Sequence, residues 1–201
     1  MNASPAYQVE RPELTFPSAE AEWLRDAYSR ASSILEYGSG GSTVMASEMP
    51  GKTVVSVESD AEWIGMMNAW FNDHPAHSTP VMHHADIGKT GEWGMPDGDK
   101  RWRAFPKYPL EVWDLDDFVA PDVVLVDGRF RVGCLLASLF RTQKPMELYF
   151  DDYAGREPYH VVETFVKPTE IRGRMARFDL NPTSLPSNRL LEVIQLMTRP
   201  R

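Results

Sequence analysis

Cysteine is nearly absent. Cys134 stands alone, which excludes any disulfide within the chain and any cysteine-built zinc site. It lies in the apolar run 132–136, where a small buried hydrophobe is expected rather than a nucleophile. Long hydrophobic runs are missing too. No stretch approaches the roughly 20 apolar residues that cross a bilayer. Residues 1–16 are polar, carry Pro5 and Pro12, and lack the apolar centre of a secretion signal. A reduced, cytoplasmic protein without a membrane partner is therefore expected. Basic residues are outnumbered, 21 Lys and Arg against 29 Asp and Glu, for a formal net charge of -8. Broad affinity for nucleic acid needs clustered cations to neutralise phosphates, and only Lys100, Arg101 and Arg103 gather. No internal repeat and no low-complexity segment is present.

What remains is an ordinary globular composition, 42% hydrophobic and 25% charged over 201 residues, enough for one well-buried domain. Residues 1–17 read as an extended arm punctuated by Pro5, Pro12 and Pro17, and 18–201 as a single domain. Ser18 is the expected N-cap of a first helix, with Trp23, Leu24, Ala27, Tyr28 and Ala31 at core-facing spacing. Aliphatic strands are then expected at 33–37, 53–57, 79–84, 122–126 and 146–150. Helices are expected from Ser42 or Thr43, from the Asp60 cap to about Phe71, over 131–141 and over 159–166. Two segments, 174–180 and 190–197, read as a closing pair of strands without a helix between them, so they should pair antiparallel. Residues 87–117, rich in Gly, Pro and Trp, read as a functional insertion. Trp93, Trp102, Tyr108 and Trp113 there either line an aromatic pocket or anchor the loop to the domain. Strands alternating with helices imply a doubly wound, Rossmann-like α/β domain with a seven-stranded, mostly parallel sheet and an antiparallel edge strand.

The most informative segment is Glu36-Tyr37-Gly38-Ser39-Gly40-Gly41-Ser42-Thr43, a strand running through glycines into a helix. Such a turn lets a ligand approach the backbone at the strand's carboxyl end. Twenty residues past Gly38, Glu58 ends the next strand, where an acid can accept from both ribose hydroxyls of an adenosine-containing cofactor. Thr43 occupies the third glycine position of a dinucleotide fingerprint, and Glu36 would repel a pyrophosphate. Both features disfavour a nicotinamide oxidoreductase. The stretch resembles motif I of class I S-adenosylmethionine-dependent methyltransferases, E/D-x-G-x-G-x-G, with Ser42 in place of the last glycine. The resemblance implies the class I methyltransferase fold and S-adenosylmethionine as cofactor. It places Glu36, Gly38, Ser39, Gly40, Glu58 and Asp127 around that cofactor, with Asp86 on the adenine amino group.

Two further strands end in acids, Val126-Asp127-Gly128-Arg129 and Phe150-Asp151-Asp152-Tyr153. Neighbouring strands lie roughly 5 Å apart, so Asp127, Asp151 and Asp152 should converge and repel unless protonated or bound to a cation. This pattern resembles the metal-dependent small-molecule O-methyltransferases, of the catechol O-methyltransferase type and more closely the macrocin O-methyltransferase-like group. The resemblance implies Mg2+ held by Asp127, Asp151 and Asp152, methyl transfer to oxygen of a small-molecule acceptor, and a base shortly after Asp127. The corresponding residues here are Arg129, Phe130 and Arg131, and an arginine is not a base. Asp127 and Arg129 are the catalytic candidates, with Arg129 binding an anionic acceptor or pairing with the acids. An Arg–Asp structural network is the alternative to the metal, and His160 or Tyr153 could replace the base. A cofactor-binding protein without turnover is the second functional reading. A nucleic-acid or protein methyltransferase is the third, disfavoured by net acidity and by the lack of an N/D-P-P-Y-like motif at residues 127–130.

Overall fold

The computed structural model describes residues 10–201, so residues 1–9 of the expected arm lie outside the described part. Along the chain run α1 (Ser18–Arg30), β1 (Ser33–Tyr37), α2 (Gly41–Ser47), β2 (Thr53–Glu58), α3 (Ala61–Asp73), β3 (Val81–His84), α4 (Lys107–Leu110), β4 (Val123–Val126), α5 (Arg131–Arg141), β5 (Met146–Phe150), β6 (Glu170–Arg172), β7 (Met175–Leu180) and α6 (Leu190–Met197). The seven strands form one sheet in the order β3-β2-β1-β4-β5-β7-β6. The first five are parallel, and β7 runs antiparallel to both β5 and β6. This is the doubly wound α/β sheet expected from the alternation of strands and helices.

Period-two alternation in buried strands divides the core between the two faces. Ile34, Val54, Val123 and Leu125 point toward Trp23, Leu24, Ala27 and Tyr28 of α1. Leu35, Tyr37, Val124 and Val126 point the other way, toward Leu135, Leu136 and Leu139 of α5 and Val193 and Leu196 of α6. Asp60 caps α3 by accepting from Glu62 N at 2.9 Å and Trp63 N at 3.1 Å. The α1 cap differs from expectation: Pro17 holds that position without a side-chain bond, and Ser18 is already helical.

The carboxyl-terminal third corrects the expected closing strands. Residues 190–197 form α6, not a strand. Val193, Leu196 and Met197 are its buried side chains, spaced three and four apart, whereas Leu191 and Ile194 face out. That is a helical stripe, obscured by apolar residues on the opposite face. The partner of β7 is instead β6, three polar or exposed residues joined to it through Gly173 at φ +54. A strand that short, with little apolar alternation, leaves no periodic trace. Residues 159–166 are not an α-helix either; Glu157–Thr164 is a 3-10 stretch.

The insertion is more ordered than a loop. It holds 3-10 turns at Glu92–Gly94, Trp102–Ala104 and Glu111–Asp114 besides α4. Phe105, Tyr108, Val112 and Trp113 are buried in the main core. Trp113 Nε1 donates to Tyr37 Oη at 2.7 Å, and Tyr37 Oη donates to Pro109 O at 2.7 Å. Tyr108 and Trp113 are thus anchors, while Trp93 and Trp102 remain exposed.

Candidate functional site

The strand order reverses beside β1, whose neighbours are β2 and β4. A crevice opens at such a point, at the carboxyl ends of the strands. Here two turns cross with backbone against backbone. Gly38 has φ +98, and a Cβ on it would lie 2.8 Å from Gly128 Cα. A Cβ on Gly128 would strike Tyr108 Oη and lie 2.9 Å from Gly38 N. Nearby, Trp93, Phe130 and Asp152 hold left-handed backbone, with φ of 58, 52 and 59°. Non-glycine residues in that region are strained, and such strain gathers at functional sites.

Above the crossing lies a cavity of about 390 Å³, lined by residues 38–42, Glu58, Trp63, Trp93 and Asp127 to Arg129. Glu58 is the best-positioned acid in it. Its Oε1 accepts from Ser59 N at 2.6 Å, Asp60 N at 3.1 Å and Ser59 Oγ at 3.3 Å. Its Oε2 has one contact, Ser39 N at 3.5 Å, and so keeps acceptor capacity at the cavity wall. Burial raises the Glu58 pKa, against the lowering effect of the backbone N–H groups of Asp60 and Ser59. Trp63 Nε1 donates to Ser39 O at 2.9 Å and pins the glycine turn. The Ser39 hydroxyl is buried without a partner among the described residues. A free acceptor, an unpaired hydroxyl and the glycines that flank it, which let a ligand approach the backbone, fit the adenosine and amino-acid portions of S-adenosylmethionine.

Two expected ligand contacts are not at the wall. Glu36 is fully buried behind the turn, with Oε1 accepting from Tyr28 Oη at 2.7 Å and Oε2 from Thr43 Oγ1 at 2.5 Å. Alternation puts it on the face of Ile34, toward α1 and α2. Thr43 Oγ1 in turn accepts from Gly40 N at 3.0 Å, so Glu36 braces the turn from below. Asp86 is exposed, accepts from Gly88 N at 2.9 Å and pairs with Arg101 at 3.3 Å. It closes a turn outside the cavity.

The acids at the ends of β4 and β5 do converge, but arginines meet them. Asp151 is bound by Arg174 through Nε at 2.9 Å and Nη2 at 2.8 Å. Asp152 pairs with Arg156 at 2.7 Å and Arg131 at 3.5 Å, and Asp127 with Arg131 at 3.1 Å. Arg131 also donates to the backbone oxygens of Asp151, Asp127 and Gly128. Among the described residues no three His, Cys, Asp or Glu side chains are grouped to hold a metal ion. The donor set does not fit Mg2+; guanidinium groups hold the oxygens a cation would need, as in the structural Arg–Asp network. Tyr153 donates to Glu163 at 2.9 Å, and His160 contacts the Tyr153 carbonyl at 3.1 Å. Neither reaches the cavity.

Asp127 is the titratable group with consequences. Its pKa is pushed up to about 7, first by burial and then by Asp151 and Asp152, with Arg131 opposing. An acid with a raised folded-state pKa binds protons more tightly in the folded chain, so stability falls as pH rises from about 4 to about 7. Asp127→Asn is expected to flatten that fall in urea melts across pH 4 to 8. Burial of Glu36 and Glu58 acts with the same sign, so part of the slope survives; an unchanged curve would show that Asp127 titrates normally.

Sequence reading missed one wall. Residues 12–16 of the arm line the cavity together with the glycine turn. Gly41 is where they cross, since a Cβ there would collide with the backbone of Glu13 and Leu14. Phe16 is buried against α1, and Arg11 pairs with Glu48 at 2.7 Å. No periodicity marks an extended arm; its prolines were the sole signal. A second hollow of about 410 Å³ lies at the opposite edge of the sheet. Its charges are satisfied internally, Arg30 by Glu147 and Arg177 by Asp179.

No family model and no curated protein matches the chain. Solved structures do. A methyltransferase-like protein from Silicibacter pomeroyi is 52% identical, over 96% of this chain and 100% of that one, with a TM-score of 0.92. The O-methyltransferase TomG from Streptomyces achromogenes, solved with S-adenosylmethionine, is 15% identical over 85% of this chain and 82% of its own, with a TM-score of 0.57. An O-methyltransferase from Bacillus cereus, solved with S-adenosylhomocysteine, is 10% identical over 82% of each chain, with a TM-score of 0.55. The latter two share the fold alone. Because the first likeness runs the length of both molecules at that identity, the chain belongs to the methyltransferase-like proteins, built on the fold of S-adenosylmethionine-dependent methyltransferases.

Proposed function

We propose that this protein binds S-adenosylmethionine in the cavity above the glycine turn and transfers a methyl group to an oxygen of a small-molecule acceptor. One observation carries the reading: Glu58 lines that cavity, and its Oε2 keeps acceptor capacity to spare while Oε1 accepts from three donors. Glu58 would hold the ribose hydroxyls, and the backbone of residues 38–40 would lie along the cofactor. When bound, the cofactor supplies a methyl group on a sulfonium centre, which needs orientation more than covalent help. Asp127, with a pKa pushed up to about 7, is matched to accept the acceptor's hydroxyl proton near neutral pH. It takes the place of the base sought after it in the sequence. A cytoplasmic setting belongs to the same reading, supported by a single buried cysteine and by the lack of a helix long and apolar enough to cross a membrane among the described residues.

A cofactor-binding protein without turnover is the second reading, favoured by the arginine pairing of Asp151 and Asp152. Calorimetric titration with S-adenosylmethionine and S-adenosylhomocysteine, each with Mg2+ and with EDTA, tests the first claim. Both nucleosides are expected to bind equally well under the two conditions; binding by neither would reject the proposal. Methyl transfer from labelled cofactor to a panel of hydroxylated small molecules then separates the two readings.

A further inference from the structure

Four arginines crowd the carboxyl edge of β4 and β5, and three of them are spoken for. Arg131, Arg156 and Arg174 each meet an aspartate. Arg129 meets none. Its backbone N donates to Tyr108 Oη at 3.3 Å and its carbonyl faces Cys134 Sγ at 3.4 Å. Its side chain makes no hydrogen bond or ion pair among the described residues, and its Nε is buried without a partner. The residue is half-buried at the cavity wall. A guanidinium whose Nε is buried without a partner is costly, and a protein that carries one there has a place for an anion.

Resting on the reading of this cavity as the cofactor and acceptor site, we infer that Arg129 anchors a carboxylate subsite within it. The planar fork of a guanidinium matches a carboxylate through two parallel N–H bonds. Charge selects the singly charged group over phosphate. Glu13, Glu58, Asp60 and Asp127 share the cavity, and a dianion would face all four. Asp127 does not itself fill the role, because Arg131 holds it. Two molecules could bring the carboxylate: the cofactor, at its methionine end, or the methyl acceptor.

Arg129→Gln and Arg129→Lys decide, with S-adenosylhomocysteine, its decarboxylated analogue and benzoate as probes in calorimetry on the full chain. If the cofactor brings the group, Arg129→Gln weakens S-adenosylhomocysteine about 10- to 100-fold, the scale of one charge-assisted bidentate contact, and leaves the decarboxylated analogue unaffected. If the acceptor brings it, both nucleosides bind the variant as they bind the wild type, and benzoate binding to the nucleoside-loaded protein falls by a similar factor. Arg129→Lys should restore part of the loss in either case, which a folding defect would not allow. Equal binding of all three probes to wild type and both variants overturns the inference. Failure of wild type to bind either nucleoside would sink the functional proposal instead, and benzoate on the free protein would still report on Arg129.

Discussion

Glu58→Ala is expected to weaken S-adenosylmethionine binding about a hundredfold, because two hydroxyl hydrogen bonds to a carboxylate together contribute roughly 3 kcal/mol. The same substitution strips the backbone N–H groups of Ser59 and Asp60 of their acceptor, so some loss of stability accompanies it. Glu58→Gln separates the two effects. An amide oxygen can still receive the Ser59 N–H while the amide nitrogen cannot accept from a ribose hydroxyl. Affinity should therefore fall nearly as far in Glu58→Gln with a much smaller shift in melting temperature. Unchanged calorimetric affinity in both variants would remove Glu58 from the ligand site.

Gly128→Ala is expected to destabilise the fold by about 3 kcal/mol, the upper range for an overpacked site. In a domain of this size that lowers Tm by roughly 6–12 °C. The added methyl group meets Tyr108 Oη on one side and the Gly38 backbone on the other, and neither is the free end of a flexible chain. Removing the hydroxyl tests this directly. Tyr108→Phe alone forfeits weak contacts to Arg129 N and Val57 O, worth about 1 kcal/mol at most. Combined with Gly128→Ala it should recover part of the lost stability, though not all, since Gly38 N would still lie 2.9 Å away. Additive melting shifts in the double variant would show that the two residues do not touch.

The sheet was readable in the sequence because buried parallel strands are aliphatic and end in residues that mark them. β1, β2, β4, β5 and α5 lie where composition puts them, within a residue or two. The failures have a common cause. β6 is three residues long and exposed, so it carries no alternation, and α6 is apolar on its solvent face as well, which blurs its stripe. The site was legible in part. Gly38 to Gly40, Glu58, Asp127 and Arg129 reach one cavity because each sits where a strand ends on the same edge of the sheet. Glu36 and Asp86 obey the same spacing and do not reach it, because strand position sets where a residue lies and not which neighbours claim its side chain. Tyr28 and Thr43 claim the first; Gly88 and Arg101 claim the second. The aspartates of the β4 and β5 ends show the same thing on a larger scale. Their convergence follows from topology, but the arginines that meet them come from α5, from residue 156 and from the β7 hairpin, which no local motif ties together.

Laboratories that trim this chain to its regular structure would naturally begin at Ser18, the first residue of α1. Such a fragment retains every strand and helix of the described residues, and by circular dichroism it would pass for intact. It would nevertheless have lost residues 12–16 of the cavity wall, leaving the glycine turn open to bulk water where Glu13 and Leu14 now cross Gly41.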